Sequence, residues 1–267
     1  MSQFSLGLIQ LHVAPGCSRE NTANALRAIE LAANAGAQLV LLPEALPIGW
    51  THGSARKSAE PIPGGEWCRA LANTARRRKV WICSGAVERH ADRIYNAAVL
   101  INADGDLVLR HRKINELDIA HDLYARGDTL SVADTPFGRL GVMICADAFA
   151  EGQVISRALG LMGAEVILSP CSWAVPADHD PQREPYGKLW LDNYCPVARE
   201  FGLWIAGVSN VGLITDGPWK GRKCIGCSMV IDPGGNRVAQ LDYGESAERV
   251  WNVLITPRPS RRVCSGG

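Results

Sequence analysis

Short apolar runs alternate with helical segments along most of this chain, and this alternation limits its fold more than any other sequence feature. The runs are five to eight residues long and lie at 4–11, 38–42, 80–87, 139–144, 165–169 and 204–209. Between them, apolar residues spaced three and four apart predict helices over about 19–34, 154–162 and 186–201. Because buried strands must be covered on both faces, the pattern predicts an α/β fold of layered sheets and helices.

Two tight turns indicate that the sheets are not purely parallel. Asp104–Gly105 and Pro233–Gly234–Gly235 each separate two strand-like runs, as in an antiparallel hairpin. We find no internal repeat, low-complexity segment or linker, so residues 1–267 are interpreted as a single domain. Its tail, residues 257–267, is rich in Pro and Arg and is predicted to lie outside the core.

The composition argues against several classes of partner. Lys and Arg number 28 and Asp and Glu 27, so the net charge of +1 gives no reason to expect nucleic acid or an anionic membrane as partner. The amino-terminal sequence lacks the basic region of a signal peptide, and no apolar run approaches the roughly 18 residues needed to cross a bilayer. We therefore predict no nucleic-acid partner and no membrane association.

Nine cysteines are scattered from Cys17 to Cys264 without the spacing of a disulfide framework. In a chain of this size that distribution is typical of reduced thiols, so a cytoplasmic location is predicted. Cys224 and Cys227 form one CxxC pair, but a structural zinc site needs a second pair and none stands nearby. We interpret the two residues as strand-end thiols, with a metal site as the less favoured alternative.

Three residues at the ends of predicted strands suit nucleophilic chemistry. Glu44 follows the run 38–42, Cys145 follows the run 139–144, and Lys113 follows the strand after the Asp104–Gly105 turn. Side chains at the carboxyl ends of buried strands point into the ligand crevice of an α/β sheet. A cysteine nucleophile needs a base or a nearby positive charge, and both types of residue are present here. Taken singly, each residue is more often a core thiol, a loop carboxylate or a solvated lysine.

If the three meet, Glu44 would accept the thiol proton and later return it to a leaving amine. Lys113 would stabilise the thiolate and the oxyanion of a tetrahedral intermediate. Trp173, just after the run 165–169, is predicted to line the substrate pocket, with a place at the edge of the core as the alternative. Cys171 has no base nearby in the sequence and is predicted to be a bystander.

Three segments, LLPEALPIGW, RHRKIN and GVMICADAF, resemble in order and spacing the signature segments of the nitrilase superfamily of carbon–nitrogen hydrolases. Later segments such as GAEVILSPCSW and GCSMVIDPGGNRVAQ extend the resemblance from Leu8 to about Ile255. The resemblance implies a four-layer αββα sandwich of mixed sheets covered by helices. It also implies a homodimer or larger homo-oligomer, formed through helices near the nucleophile, and neither a metal nor an organic cofactor.

The resemblance assigns a role to each candidate residue. It implies that Glu44 is the general base and acid, Lys113 the electrostatic stabiliser and Cys145 the nucleophile that becomes acylated. It also implies that the backbone N–H of Ala146 completes the oxyanion hole.

The family commonly carries a second glutamate after the lysine, and here the pattern departs. Counting back from Gly127–Asp128 places the matching position on Asp122, whose side chain is one methylene shorter. Glu116 is the other candidate, although the register fits it less well. We predict Asp122 in the accessory role, with a surface position as the alternative.

The residues after the nucleophile depart as well. Many relatives have an arginine there that in some branches binds a substrate carboxylate, whereas this chain has Asp147–Ala148–Phe149. The difference weakens the case for substrates that carry a carboxylate, such as those of ω-amidases and N-carbamoyl amino acid hydrolases. Arg183 and Lys188 are the candidates to replace the missing cation.

These observations predict an amidohydrolase that cleaves the non-peptide carbon–nitrogen bond of a small amide through a cysteine thioester, releasing ammonia or an amine. One alternative is a nitrilase that converts a nitrile to a carboxylic acid and ammonia. Such relatives often have Trp–Glu after the nucleophile, which Ala146–Asp147 does not match. A further alternative is a soluble acyltransferase or a non-catalytic nitrilase-like binding protein, and retention of all three key residues opposes the non-catalytic form.

Overall fold

The computed structural model describes residues 3–259, in which helices cover two mixed β-sheets. The strands are β1 (Phe4–Gln10), β2 (Leu39–Leu41), β3 (Trp81–His90), β4 (Arg93–Ile101), β5 (Leu107–Arg112), β6 (Val132–Thr135), β7 (Gly138–Val142), β8 (Val166–Cys171), β9 (Ala174–Val175), β10 (Trp204–Ser209), β11 (Val211–Leu213), β12 (Lys223–Ile225), β13 (Met229–Ile231), β14 (Arg237–Gln240) and β15 (Arg249–Ile255). The α-helices are α1 (Ser18–Asn34), α2 (Ala55–Ser58), α3 (Glu66–Arg78), α4 (Val154–Leu161) and α5 (Lys188–Phe201). Short 3₁₀ helices span Asp118–Ala120, Cys145–Phe149 and Glu151–Gln153.

Each six-stranded sheet has a parallel centre and antiparallel edges. The order in the first sheet is β15-β1-β2-β3-β4-β5, with β1, β2 and β3 parallel. The order in the second sheet is β14-β13-β10-β8-β7-β6, with β7, β8 and β10 parallel. A small third sheet joins β11, β12 and β9. The β4–β5 and β13–β14 pairs are antiparallel hairpins, as the two tight turns predicted.

The side chains of β2 and its neighbours show how the sequence produces the layers. Alternate side chains of a strand point to opposite faces of its sheet. Leu39 and Leu41 therefore join the core between the two sheets, while Val40 and Leu42 join the cluster formed with α1 and α3. Apolar residues of α5 cover the second sheet from its other side. The order of the layers is helix, sheet, sheet, helix, so the predicted αββα sandwich is confirmed.

Most helix boundaries fall close to their predicted positions. α1 and α4 agree with the apolar spacing to within one residue at each end. α5 begins at Lys188 and not at residue 186, because Gly187 has φ = +97° and this left-handed conformation cannot continue a helix. The side chain of Tyr186 is consequently outside the helix and forms part of the wall of the candidate site.

The structure also bears on the predictions about membrane spans, the tail and the cysteines. No helix between residues 3 and 259 is both long enough and apolar enough to cross a bilayer. Of the tail, Pro257 is buried and Pro259 exposed, and residues 260–267 lie outside the described part of the chain. The eight cysteines in the described part all carry free thiols.

Candidate active site

Glu44 is held just after β2 by contacts from both sheets. Its backbone N–H donates to the carbonyl oxygen of Cys171, the last residue of β8, at 3.1 Å. Its Oε1 accepts hydrogen bonds from Lys113 Nζ at 2.8 Å and from Asn96 Nδ2 at 2.6 Å. Its Oε2 is buried and has no hydrogen-bond partner among residues 3–259. This oxygen is therefore available to accept a proton.

Gly85 of β3 allows the backbone around Glu44 to approach the first sheet closely. The Gly85 N–H donates to the carbonyl oxygen of Pro43 at 3.0 Å. A Cβ at Gly85 would lie only 2.4 Å from that oxygen and 2.6 Å from the Cα of Glu44. Because real side chains do not approach backbone atoms so closely, only glycine permits this position of Glu44.

Lys113 follows β5, and its ammonium group is buried among carboxylates. Nζ lies 2.8 Å from Oε1 of Glu44, 3.7 Å from Oε2 of Glu116 and 5.7 Å from the centre of the Trp50 ring. Burial acts to lower the pKa of Lys113, but the negative charges of Glu116 and Glu44 outweigh it and raise that pKa well above its usual value. The lysine therefore remains charged, and its charge lies in a medium of low dielectric where electrostatic effects are strong.

Glu116, and not Asp122, is the second carboxylate beside this lysine. Glu116 is 3% exposed, whereas Asp122 is exposed and its backbone oxygen accepts a hydrogen bond from Arg56 at 2.9 Å. The assignment to Asp122 is therefore wrong: the 3₁₀ helix Asp118–Ala120 and the turn after it carry that side chain out to solvent. Burial raises the pKa of Glu116 to about 7, although the charge of Lys113 acts to lower it.

Cys145 lies at a sharp change from strand to helix. The chain beyond β7 is extended at Ile144, with φ −123° and ψ 114°, and Cys145 itself has φ +45°. This left-handed conformation costs a non-glycine residue about 1–3 kcal/mol, so the surrounding contacts must hold it in place. The 3₁₀ helix that starts at Cys145 leaves the strand direction at this residue.

The Cys145 thiol lies close enough to Glu44 and Lys113 for both charges to act on its pKa. Burial is the largest cause that raises the pKa of this thiol well above its usual value. The neighbouring Cys171 thiol and the charge of Glu44 raise it further, whereas Lys113 acts in the opposite direction. The thiol is therefore protonated at rest and needs a base when it attacks. The structure thus places Glu44, Lys113 and Cys145 together.

Ala146 is the second residue of the same 3₁₀ helix and is 2% exposed. Its carbonyl oxygen accepts a hydrogen bond from Asn115 Nδ2 at 2.6 Å. Backbone N–H groups at the start of a helix have no acceptor within that helix, which makes them suitable donors to an anionic oxygen. The position of Ala146 is thus compatible with the role that the resemblance implied.

Trp173 is 2% exposed and belongs to an aromatic wall with Tyr186 and Trp190, of which Tyr186 lies close enough to Cys145 for the thiol to act on its pKa. Its ring stacks on that of Trp190 with centroids 3.7 Å apart, and it meets the edge of the Tyr186 ring at 6.2 Å. A cavity of about 460 Å³ is lined by these three rings and by His179. Nε1 of Trp173 and the hydroxyl of Tyr186 are buried without hydrogen-bond partners among the described residues. Trp173 therefore contributes to a pocket wall as well as to the core.

Arg183 and Lys188, the predicted replacements for the arginine that many relatives have after the nucleophile, are directed to solvent. The side chain of Arg183 is 88% exposed and pairs with a neighbouring aspartate at 3.5 Å. Lys188 lines the cavity, but its side chain is 71% exposed and its Nζ lies 2.5 Å from Asp192. Arg222, also at the cavity, stacks over the ring of Trp219 at 4.1 Å. Each of these three cations therefore has a partner of its own.

Cys171, predicted to be a bystander, lies beside both Glu44 and Cys145. Its carbonyl oxygen accepts the hydrogen bond from Glu44, and its thiol raises the pKa of Cys145. Cys224 and Cys227 are buried free thiols. Within residues 3–259, no group of three or more His, Cys, Asp or Glu side chains is arranged to hold a metal ion.

Sequence reasoning missed Asn96, which contacts two of the three residues. In β4 its Nδ2 binds Glu44, and its carbonyl oxygen accepts the N–H of Lys113 at 2.8 Å. The available signal was a single amide in the otherwise apolar stretch NAAVLI of a buried strand. A fully buried polar side chain in such a stretch needs partners, but the sequence does not say which.

A family model described as carbon-nitrogen hydrolase matches residues 6–258. The chain belongs to the carbon–nitrogen hydrolase family. The resemblance to the nitrilase superfamily is thereby confirmed. Among relatives in this family, the deaminated glutathione amidase from Yersinia enterocolitica is 33% identical over 267 residues, which cover 94% of this chain and 87% of that protein. The chloroplastic omega-amidase from Arabidopsis thaliana is 35% identical over 175 residues, or 60% of this chain, and the match spans 47%, about half, of that relative's length.

A solved carbon–nitrogen hydrolase structure has the same fold. The structure of the enzyme from Helicobacter pylori G27 superposes with a TM-score of 0.80 and 22% sequence identity, over 94% of this chain and 88% of that one. At this identity the likeness supports the fold alone.

Proposed function

We propose that this chain is an amidohydrolase that cleaves the carbon–nitrogen bond of a small amide through a thioester on Cys145. The observation that carries the proposal is the free Oε2 of Glu44. The other oxygen of that carboxylate is bound to Lys113, so the site holds an available base and a fixed positive charge beside one buried thiol.

In the first half of the reaction, Glu44 accepts the proton of the Cys145 thiol, and the sulfur attacks the amide carbonyl carbon. The carbonyl oxygen becomes negative and is stabilised by the ammonium group of Lys113 and the N–H of Ala146. Glu44 then gives its proton to the nitrogen, the carbon–nitrogen bond breaks, and ammonia or an amine leaves. The acyl group remains on sulfur as a thioester.

In the second half, water replaces the amine in the site. Glu44 takes a proton from this water as the water oxygen attacks the thioester carbon. The carbon–sulfur bond breaks, the proton passes from Glu44 to the sulfur of Cys145, and a carboxylic acid is released. The same carboxylate thus serves twice as base and twice as acid.

Glu116 supports this cycle through Lys113, in the accessory role first assigned to Asp122. Its Oε2 lies 3.7 Å from Nζ of Lys113, and Glu44 is close enough to act on the pKa of Glu116. When ionised, Glu116 keeps the lysine charged while the negative charge of Glu44 is lost to the thiol proton. Lys113 therefore keeps a negatively charged neighbour throughout the proton transfer.

The cavity favours an amide whose acyl part carries no carboxylate. The cations at the cavity rim are already partnered, and the wall formed by Trp173, Tyr186 and Trp190 is aromatic. The unpartnered Trp173 Nε1–H and Tyr186 hydroxyl can receive an uncharged polar group. Two relatives named above are amidases, which supports an amide as substrate.

The test is ammonia release from a panel of neutral amides, ω-amides of dicarboxylic acids, N-carbamoyl compounds and nitriles. We expect turnover of neutral amides, an acyl adduct on Cys145 in intact-protein mass spectrometry with a slow substrate, and loss of both in Cys145→Ala. Turnover confined to nitriles would replace amide hydrolysis with the nitrilase alternative. Faster turnover of dicarboxylic ω-amides would show that the substrate class is wrong. Turnover that persists in Cys145→Ala would exclude the proposed nucleophile.

We further propose that the chain forms a homodimer or larger homo-oligomer and works in the cytoplasm. Large apolar side chains are exposed on or beside α4 and α5, namely Val154, Leu161, Met162 and Leu189. An exposed apolar patch of this kind is typical of a protein interface. The free thiols suit a reducing compartment, and a fluorescent fusion followed by cell fractionation tests the location.

A further inference from the structure

Asp147 lies two residues after the nucleophile, is 0% exposed and binds the segment that carries Lys113. Its Oδ1 accepts the backbone N–H of Ile114 at 3.0 Å and that of Asn115 at 2.8 Å. These are the two residues that directly follow Lys113. This one carboxylate oxygen thus holds the backbone of the two residues directly after Lys113.

The other oxygen of Asp147 binds on both sides of the site. Oδ2 accepts the backbone N–H of Ile144, which directly precedes Cys145, at 2.9 Å. It also lies 2.8 Å from Nε2 of His111, two residues before Lys113. The side chains of His111 and Asp147 are 1% and 0% exposed, so water does not compete for these bonds.

We propose that Asp147 is a positioning residue that sets the distance between the Lys113 ammonium group and the Cys145 sulfur. We call its four hydrogen bonds, to His111, Ile114, Asn115 and Ile144, the Asp147 clasp. This inference rests on the proposed function, because the distance matters through the oxyanion that Lys113 stabilises.

Two physical facts support a role beyond general packing. Lys113 and Cys145 follow strands of different sheets, since β5 lies at an edge of the first sheet and β7 in the second, and within residues 3–259 no backbone pairing between strands joins those two sheets. The clasp therefore supplies a direct link between the two segments, and Asn115 adds a second link through the carbonyl oxygen of Ala146. In addition, burial acts to raise the pKa of Asp147, but bonding with His111 and the N–H donors outweighs it and lowers that pKa. The carboxylate is thus ionised, and hydrogen bonds to a charged acceptor are the strong ones.

The test is a double-mutant cycle on kcat/KM for the best amide substrate. Asp147→Asn keeps the size of the side chain but turns its amide donor either towards Ile144 and His111 or towards the N–H groups of Ile114 and Asn115. We expect a loss of about 10²-fold in the wild-type background, because small displacements of reacting groups have costs of that order. In the Lys113→Ala background we expect Asp147→Asn to cost less than about threefold, because residues that act as a unit are not additive. The matched control is Asp134→Asn, an exposed carboxylate bound to Arg139, which should cost little in either background.

A loss from Asp147→Asn that is equal in both backgrounds would overturn the proposal, since a residue needed only for folding acts independently of Lys113. If Asp147→Asn does not fold, His111 provides the second arm. His111→Gln keeps a donor at the place of Nε2 and loses only Nδ1, which has no hydrogen-bond partner among residues 3–259. His111→Leu removes the donor. We expect the leucine variant to lose at least about tenfold, the glutamine variant to recover most of that loss, and the leucine effect to vanish in Lys113→Ala.

Failure of the proposed function is distinguishable from failure of this inference. If the wild-type chain releases no ammonia or amine from any compound of the panel, the proposed function is wrong. The same cycle is then measured as the rate of Cys145 alkylation by iodoacetamide, located by peptide mass spectrometry. Non-additive effects of Asp147→Asn and Lys113→Ala on that rate support the clasp, and additive effects contradict it.

Discussion

At the scale of single residues, the site contains three groups whose pKa values are all raised, by burial for Cys145 and Glu116 and by the neighbouring carboxylates for Lys113. The Cys145 thiol keeps its proton, Lys113 keeps its charge, and Glu116 has a pKa of about 7. The Cys145 thiol must therefore lose its proton before the sulfur can attack a substrate. We expect Glu44, which has one oxygen bound to Lys113 and one without a partner among residues 3–259, to accept the thiol proton when substrate arrives.

Replacing Glu44 with glutamine isolates its proton-transfer role. The Gln side-chain oxygen can still accept the hydrogen bonds from Lys113 and Asn96, but the group cannot take up a proton. We expect kcat/KM to fall by about 10²–10⁴-fold, the usual contribution of a general base, and thermal stability to fall as well, because buried Lys113 loses a counter-charge. Ammonia release and thermal denaturation measure the two effects. Glu30→Gln, which changes an exposed carboxylate paired with Arg77, is the control. Activity within tenfold of wild type would assign the base elsewhere.

Glu116 predicts a specific dependence of stability on pH. Its pKa is raised from 4.5 to about 7 on folding, so the native state holds a proton that the unfolded chain loses between these values. Its contribution to the free energy of unfolding therefore falls as pH rises from about 4.5 to 7. Glu116→Gln removes that fall, so we expect the variant to gain stability relative to wild type between pH 5 and pH 8. Its kcat should nevertheless decrease, because Lys113 loses a partner.

Urea unfolding of wild type, Glu116→Gln and Asp122→Asn at pH 5 and pH 8 measures this effect. Asp122 is exposed, so Asp122→Asn should show no such pH-dependent gain and should keep its activity. The same gain in both variants, or in neither, would contradict the assignment of the second carboxylate to Glu116.

At the scale of elements, the functional side chains all follow strand ends, but the strands alone do not position them. Glu44 follows β2, Lys113 follows β5 and Cys145 follows β7 by three residues. The exact path of the chain after each strand depends on close backbone contacts, one of which lies between β3 and the Glu44 segment.

Substituting Gly85 tests that contact. In Gly85→Ala the new Cβ would lie 2.4 Å from the oxygen of Pro43, so the segment that carries Glu44 must move away from β3. We expect a stability loss of about 1–3 kcal/mol, as for other overpacked sites, and a decrease of kcat by at least about tenfold. Gly64→Ala is the control, because its Cβ would meet only a side-chain carbon at 3.8 Å. Equal kcat in the two variants would mean that the contact does not position Glu44.

At the scale of the whole molecule, the αββα arrangement brings Cys145, which follows a strand of one sheet, to Glu44 and Lys113, which follow strands of the other. It also leaves apolar side chains exposed on both outer helical layers. Substitutions on each layer can therefore test which one forms the proposed interface between subunits. Leu161 beside the end of α4 is 69% exposed, and Leu31 on α1 is 61% exposed.

We expect the oligomer to form through the α4 and α5 layer. Leu161→Glu introduces a charge into that layer, so it should shift the chain to monomers in sedimentation velocity at micromolar concentration. Leu31→Glu makes the same change on the opposite layer and should leave the oligomer intact. Dissociation by Leu31→Glu alone would place the interface on α1, and a monomeric wild-type chain would exclude an oligomer.

The sequence by itself determined the layers of this protein and predicted which three residues meet at the candidate site. The run 38–42 and its counterparts are mostly apolar, which favours sheets covered on both faces, and Glu44, Lys113 and Cys145 each follow closely after a strand. Only the tertiary structure decided that Glu116, and not Asp122, lies beside Lys113, and that Asn96, Cys171 and Asp147 complete the site. The reason is physical: periodicity reports which side of an element is buried, whereas the partner of a buried polar group depends on which distant segments meet there.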